Sequence, residues 1–200
     1  GALKATYPEK AIVGAGTTFT ADRQRLIHTQ TPIARIWRFE PLAPEALAGH
    51  TDEAWAAAFS PQGDLLATGS DDTDERQTIK LWDSASGRLA RGWFGGRGTV
   101  SALAFAPDGR TLASAHLDAK GGVRLWDVAT GQLLAELPGR AGKARCVAFH
   151  PSGRWLAAGW ADGTAAIWDV AERRRVHDLD GHVGSVQELA FSPTSELLAT

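Results

Sequence analysis

The chain has 200 residues, 44% of them hydrophobic and 22% charged, an ordinary globular composition that excludes intrinsic disorder. A net charge of −2 and a pI of about 6.3 supply no general field for nucleic-acid phosphates or an anionic membrane, so partners must be recognised locally. No run approaches 18 apolar residues, and Gly1 to Lys10 lacks a basic segment followed by an apolar one, so neither anchor nor signal peptide is read here.

The single cysteine, Cys146, sits in an apolar run and reads as a small buried hydrophobe without an intrachain disulfide partner. The chain contains no Met and begins at Gly1, which reads as a processed or excised product. A soluble chain is expected, with the cytoplasm slightly favoured and the compartment open.

Along the chain the phrase apolar-Ala-Phe-x-Pro-x-Gly returns at Leu103 to Gly109 and Val147 to Gly153, with variants at Ala57 to Gly63 and Leu189 to Ser195. The shared Phe59, Phe105, Phe149 and Phe191 are 46, 44 and 42 residues apart, and Phe19 opens a weaker copy 40 residues earlier. A second phrase, apolar-Trp-Asp, falls at Leu81 to Asp83, Leu125 to Asp127 and Ile167 to Asp169, with Ile36-Trp37-Arg38 as a degenerate first copy. Each Trp-Asp tryptophan precedes the next unit's glycine by 13 residues (12 for Trp37 to Gly49), and that glycine precedes the Phe by 10. Only the stretch from Phe to Trp varies, at 18, 23, 21 and 19, which confines length change to one loop per unit.

The second unit divides into Ala54 to Phe59, Leu65 to Gly69, Thr78 to Trp82 and Arg88 to Trp93, short apolar or alternating segments bounded by Gly, Pro, Asp and Ser, which predicts strands. Ser60-Pro61-Gln62-Gly63 joins the first pair, and Pro107 and Pro151 repeat it; proline presets φ at the second turn position, so type I turns are expected. Four-stranded units at this period predict an all-β fold, a β-propeller rather than a sandwich. Its divisions are residues 1–9, an N-terminal segment whose Leu3 to Tyr7 would supply a ring-closing strand; 10–48, a degenerate first blade; and 49–94, 95–138 and 139–180, three further blades. Residues 181–200 begin a fifth with strands Ser185 to Phe191 and Glu196 to Thr200. A two-stranded blade leaves an unpaired edge, so the expectation is part of a larger ring, typically of seven blades, completed by the rest of a longer chain or by a second copy.

These residues resemble the WD-repeat family, in its bacterial form, through Gly49-His50 ahead of a first strand, Trp82-Asp83 closing a third, and Gly181-His182. The resemblance covers roughly residues 10–200 and implies a hydrogen-bonded structural network in each blade. In the second blade this would join His50, Thr68 or Ser70, Asp72 and Trp82. In the third, Gly96 replaces the histidine and Ser114, Asp118 and Trp126 remain; in the fourth, Arg140 and Ala158 replace histidine and hydroxyl and leave Asp162 and Trp168; His182 would begin the fifth. The second blade is expected to be the best locked and the first, with Arg38 after Trp37, the loosest. His50 and Asp72 read as structural rather than catalytic, because no nucleophile or second base accompanies them.

Recognition is expected at the end shared by the inter-unit links and the variable loops. One such loop, Asp71 to Gln77, carries Asp71, Asp74, Glu75 and Arg76; another, Leu117 to Gly122, carries Lys120. Trp55, Ser101, Arg145 and Gln187 occupy equivalent positions with different chemistry, while the preceding Ala54, Val100, Ala144 and Val186 stay apolar. That contrast is what a tailored surface gives, and Trp and Arg often dominate interfaces; packing between blades is the equal alternative for Trp55, and the same question arises for Trp160 and His116. His116 and Trp160, ahead of Asp118 and Asp162, join these candidates. The acidic loop lacks the glycine and closing glutamate of a calcium loop and reads as a solvated hairpin. Arg173-Arg174-Arg175 reads as a solvated turn in which Arg173 replaces a glycine and is strained if φ is positive.

No P-loop, GxSxG, HExxH or CxxC occurs, and neither metal nor cofactor is expected. The first strands, reading Ala-Ala-Ala-Phe, Ala-Leu-Ala-Phe and Cys-Val-Ala-Phe, are too apolar for a catalytic ring in a central channel. The expected function is a non-catalytic scaffold that binds a peptide or protein across the loop end, with no nucleic-acid or membrane partner. The alternative is a regulatory or sensing part of a larger bacterial enzyme polypeptide; an enzyme propeller with a central metal site ranks last.

Overall fold

Short apolar segments broken by turns cannot bury a face alone, and here each set of four pairs into an antiparallel meander. The computed structural model describes residues 17–19, 25–30, 33–39, 42–71, 77–118, 122–139, 142–194 and 197–200. The first sheet holds β1 (Thr17–Phe19), β2 (Arg25–Gln30), β3 (Ile33–Phe39) and β4 (Leu42–Leu47). The second holds β5 (Ala54–Phe59), β6 (Leu65–Ser70), β7 (Ile79–Asp83) and β8 (Leu89–Trp93). The third holds β9 (Val100–Phe105), β10 (Thr111–His116), β11 (Val123–Asp127) and β12 (Leu133–Leu137). The fourth holds β13 (Ala144–Phe149), β14 (Trp155–Trp160), β15 (Ala165–Asp169) and β16 (Arg174–Leu179). β17 (Ala190–Phe191) and β18 (Leu198–Ala199) form a two-stranded fifth, shorter than the segments expected there. The described residues contain no helix, and the four-stranded sheets are propeller blades in sequential order. The proposed closing strand, Leu3 to Tyr7, lies outside the described residues.

The Pro-x-Gly phrases close as read: Gly63 N–H donates to Ser60 C=O, Gly109 N–H to Ala106 C=O and Gly153 N–H to His150 C=O, at 2.9, 2.9 and 2.8 Å. Their φ values of +74°, +71° and +72° are left-handed, which is why glycine ends each turn. Arg173 holds φ +52° where Gly87 and Gly131 hold +66° and +73°, so the expected strain is present. Its neighbours are engaged within the blade: Arg174 clasps Glu172, and Arg175 pairs with Asp178 and lies over the Trp168 ring.

Blade packs on blade through the second strands, whose last five residues are buried in β6, β10 and β14. One position per interface is matched in size to the opening residue of the next blade. A Cβ on Gly69 would lie 2.7 Å from Val100 Cβ, and one on Gly159 would lie 2.8 Å from Val186 Cβ. The third interface places Ala115 and Ala144 in one buried cluster at the same positions. Glycine thus meets valine twice and alanine meets alanine once, which holds the summed volume near constant.

Gly69→Ala should therefore cost about 1–3 kcal/mol by overpacking and lose most of that penalty in a Val100→Ala background. Denaturant melts of the four proteins of this cycle would check it, and additive effects would refute the size match.

Candidate functional site

An extra residue in a strand loses its ladder partner and is free to aim its side chain elsewhere, and the first strand of each blade from the second to the fourth contains one. In β5 the ladder pairs Ala54 with Ser70 and then Ala56 with Gly69, leaving out Trp55. In β9 it pairs Val100 with His116 and Ala102 with Ala115, leaving out Ser101. In β13 it pairs Ala144 with Trp160 and Cys146 with Gly159, leaving out Arg145. The apolar residue before each bulge stays in register and buried, so the bulged residue alone can change type.

Trp55, Ser101 and Arg145, joined by Gln187, line one cavity of about 910 Å³ at the link end of the blades. Asp71 N–H donates to Glu53 C=O at 3.2 Å, Leu117 N–H to Thr99 C=O at 3.0 Å and Ala161 N–H to Lys143 C=O at 3.0 Å, which fixes the start of each variable loop beside its link. Trp55 is half-buried, and its indole nitrogen is covered yet has no partner among the described residues. Ser101 Oγ donates to Ala144 C=O at 2.7 Å, while Arg145 and Gln187 are exposed. Cys146, also on the wall, donates to Val186 C=O; burial pushes its thiol up to about 12 and keeps it protonated and unreactive at neutral pH. Asp71 is exposed at the rim, whereas Asp72, Asp74, Glu75, Arg76 and Lys120 lie outside the described residues. Among the described residues no His, Cys, Asp or Glu group is arranged to hold a metal ion.

Behind this wall lies the hydrogen-bonded core of each blade. Trp82 Nε1–H donates to Thr68 Oγ1 at 2.8 Å, Thr68 Oγ1 is bonded to His50 Nε2 at 2.6 Å, and His50 Nδ1 stands 3.2 Å from Lys80 Nζ. Ser70 instead turns its hydroxyl to Thr78 C=O at 3.3 Å. In the third blade Trp126 Nε1–H donates to Ser114 Oγ at 2.8 Å, and Ser114 is bonded to His116 Nε2 at 2.7 Å. His182 and Thr200, bonded in the fifth, stand 18 residues apart just as His50 and Thr68 do.

Several expectations are corrected by this geometry. His116 is 0% exposed and cannot reach a partner; its imidazole replaces, from the end of β10, the histidine that Gly96 lacks. The third blade is therefore not eroded. Trp160 is likewise 0% exposed, because Ala158 leaves room for it to pack against Trp168 with ring centroids 5.7 Å apart. That substitution leaves Trp168 Nε1–H buried without a partner among the described residues. Asp118 accepts from Arg124 at 3.1 Å and its charge acts on His116, and Asp162 accepts from Thr164 N–H at 3.0 Å.

Sequence reasoning passed over Lys80 and Arg124. Lys80 is 4% exposed and also donates to Gln77 C=O at 2.7 Å. Arg124 donates to Gly95 C=O at 3.2 Å and fills the space above Gly96, where a Cβ would lie 2.6 Å from Nη1 and where φ is +112°. The signal is legible in hindsight: a cation two residues before the tryptophan in Ile79-Lys80-Leu81-Trp82 and Val123-Arg124-Leu125-Trp126, but alanine in Ala165-Ala166-Ile167-Trp168, where histidine and hydroxyl are both gone.

Burial, with the charge of Arg124, pulls His116 from 6.5 down to about 3, so it is neutral in the folded chain at neutral pH. Its Nδ1 is buried with no partner among the described residues.

Four-stranded blades in sequence order and a third-strand tryptophan held by a hydroxyl define a β-propeller built of WD-type repeats. The WD domain, G-beta repeat family matches residues 44–83, 89–127, 131–169 and 173–200, and the chain belongs to it. The first three matches each begin in or at the outer strand of one blade and end at the Trp-Asp of the next, so the repeat in sequence is offset by one strand from the blade in space. The chain is 37% identical over 65 residues to an uncharacterised WD repeat-containing protein of Synechocystis, covering 32% of this chain and 18% of that protein. It is 36% identical over 91 residues to apoptotic protease-activating factor 1 of Homo sapiens (41% and 7%) and 34% identical over 95 residues to coronin-7 of Bos taurus (43% and 10%). The chain thus spans less than a fifth of the length of these relatives.

Two outcomes are expected from the cores. Thr68→Ala should cost about 1–3 kcal/mol by orphaning two buried groups, whereas Ala158→Ser should gain about 1 kcal/mol by giving Trp168 Nε1–H an acceptor. A neutral or destabilising Ala158→Ser in thermal melts would contradict the unpaired indole. Because the folded value of His116 lies below the unfolded one, unfolding takes up a proton between pH 6.5 and about 3. The stability it contributes is complete above pH 6.5 and is lost as pH falls toward 3, so His116→Gln should flatten the decline of Tm on acidification. Parallel Tm-against-pH curves for the two proteins would rule this out.

Proposed function

We propose that the chain is a non-catalytic interaction scaffold that takes a peptide or a protein segment into the cavity at the link end of its blades. The observation that carries this reading is the bulge repeated in three first strands, which turns Trp55, Ser101 and Arg145 out of the ladder and toward one cavity. Bulged positions can change chemistry without moving the register, and these three differ while the preceding Ala54, Val100 and Ala144 stay apolar and buried. Trp55 supplies apolar area, Arg145 a planar cation, and Ser101 and Gln187 polar atoms, the mixture from which binding hot spots are made. Cys146 adds no nucleophile. The divisions that serve this function are the blades at 49–94, 95–138 and 139–180, with 181–200 contributing Gln187.

A second reading, a regulatory or sensing part of a larger polypeptide, is supported by the length of the relatives, of which the human protein is matched over 7%. The two are compatible, since a regulatory part must also grip something.

Trp55→Ala/Arg145→Ala should remove the proteins that the unaltered chain captures from its native source, with the circular dichroism spectrum unchanged. An identical set of captured proteins would show that this face is not the site.

A further inference from the structure

The links that lead into the cavity's lining strands differ in charge from blade to blade. Two residues before each wall residue stands the residue that enters the blade at the rim, which gives Glu53 with Trp55, Thr99 with Ser101, Lys143 with Arg145 and Ser185 with Gln187. The second blade therefore carries an acid and an aromatic ring, the third neutral polar groups, the fourth two cations, and the fifth neutral Ser185 and Gln187 followed by the carboxylate of Glu188. Asp71, bonded through its N–H to Glu53 C=O, adds to the acidic side. Lys143 and Arg145 are both exposed, and neither side chain has an ion-pair or hydrogen-bond partner among the described residues. Four other arginines are ion-paired, Arg124 with Asp118 and Glu136, Arg154 with Asp169, Arg174 with Glu172 and Arg175 with Asp178. Arg145 shares the open state of Arg88, Arg97, Arg110 and Arg173 among the described residues and differs from them in lining the cavity. A guanidinium and an ammonium left open beside a cavity are complementary to a carboxylate, which a guanidinium grips with two parallel bonds. Glu188 of the next blade also lines the cavity, which limits the cationic strip to the fourth blade.

Resting on the function proposed above, we infer that the segment accepted by this cavity is an acidic peptide, with a carboxylate side chain seated on Lys143 and Arg145 and an apolar side chain laid on Trp55. Glu53 and Asp71, in the link and loop beside Trp55, repel a carboxylate from that side, so the charges flanking the cavity also set the direction in which the peptide lies.

An array of capped dodecapeptides of randomised order, each with one leucine and three charged positions filled throughout by Glu, Gln or Lys, tests this on the 200-residue chain. The Glu set should be retained about tenfold better than the Gln set, and Lys143→Gln/Arg145→Gln should bring that ratio close to one. Lys143→Glu/Arg145→Glu should move the preference to the Lys set, while Arg110→Gln, at the opposite end of the blade, should leave it unaltered. Retention should also fall with added salt. If Trp55→Ala abolishes retention of all sets but the charge of the peptide makes no difference, or if the Lys set is preferred by the unaltered chain, this inference is overturned and the scaffold reading stands. If no set is retained, or if Trp55→Ala changes nothing, the cavity is not the site and both fall.

Discussion

A tryptophan at the end of each third strand must be buried to hold a blade together, yet its indole N–H must find an acceptor there. Burying the ring supplies apolar contact to both neighbouring strands, and leaving the N–H unmet costs on the order of 1–3 kcal/mol. The blades meet this constraint in different ways. The second uses a threonine backed by a histidine from the link and a lysine from the third strand. The third keeps a serine but draws its histidine from the second strand, and an arginine occupies the vacated link space. The fourth abandons polar satisfaction and packs a second indole against the first. In the second and third blades, removing the hydroxyl alone would leave the buried indole N–H stranded.

The same cores explain how the cavity-lining positions are kept apart from those that hold the blades together. The ladder holds Ala54, Val100 and Ala144 in place, where the small or apolar side chain fits against the preceding blade. The next residue is skipped by the ladder and makes no demand on the fold. Variation can therefore accumulate at Trp55, Ser101 and Arg145 without disturbing the interfaces, and because the second, third and fourth blades skip the same position, the varied side chains line one cavity. The repeat thus turns a local backbone irregularity into a shared surface.

The offset between repeat and blade has a mechanical consequence. The outer strand of one blade is covalently continuous with the strands of the next, and the size-matched contacts run between the same pair of blades. Connection and packing reinforce each other at each interface, as expected of an array whose units contact only their neighbours. Gly69 with Val100 and Gly159 with Val186 also make adjacent interfaces different from the alanine pair between them, which discourages blades from pairing out of order.

The strands, the Pro-x-Gly turns, the blade order and the partners Thr68, Ser114, Trp82 and Trp126 were legible in the sequence alone, because repeat spacing, alternation and turn chemistry are local properties. The strain at Arg173 was legible for the same reason, since its equivalents are glycines. What only the tertiary structure decided was which side chain fills a vacated space. His116 and Trp160 look like surface variation when read by position, but the loss of a histidine at Gly96 and of a hydroxyl at Ala158 opened volume that close packing had to fill, and these residues fill it. Lys80 and Arg124 were overlooked because a cation between two apolar residues in a strand reads as solvent-facing, whereas here the link that enters its own blade covers it. The bulges, too, depend on how two strands are paired, which neither strand encodes by itself.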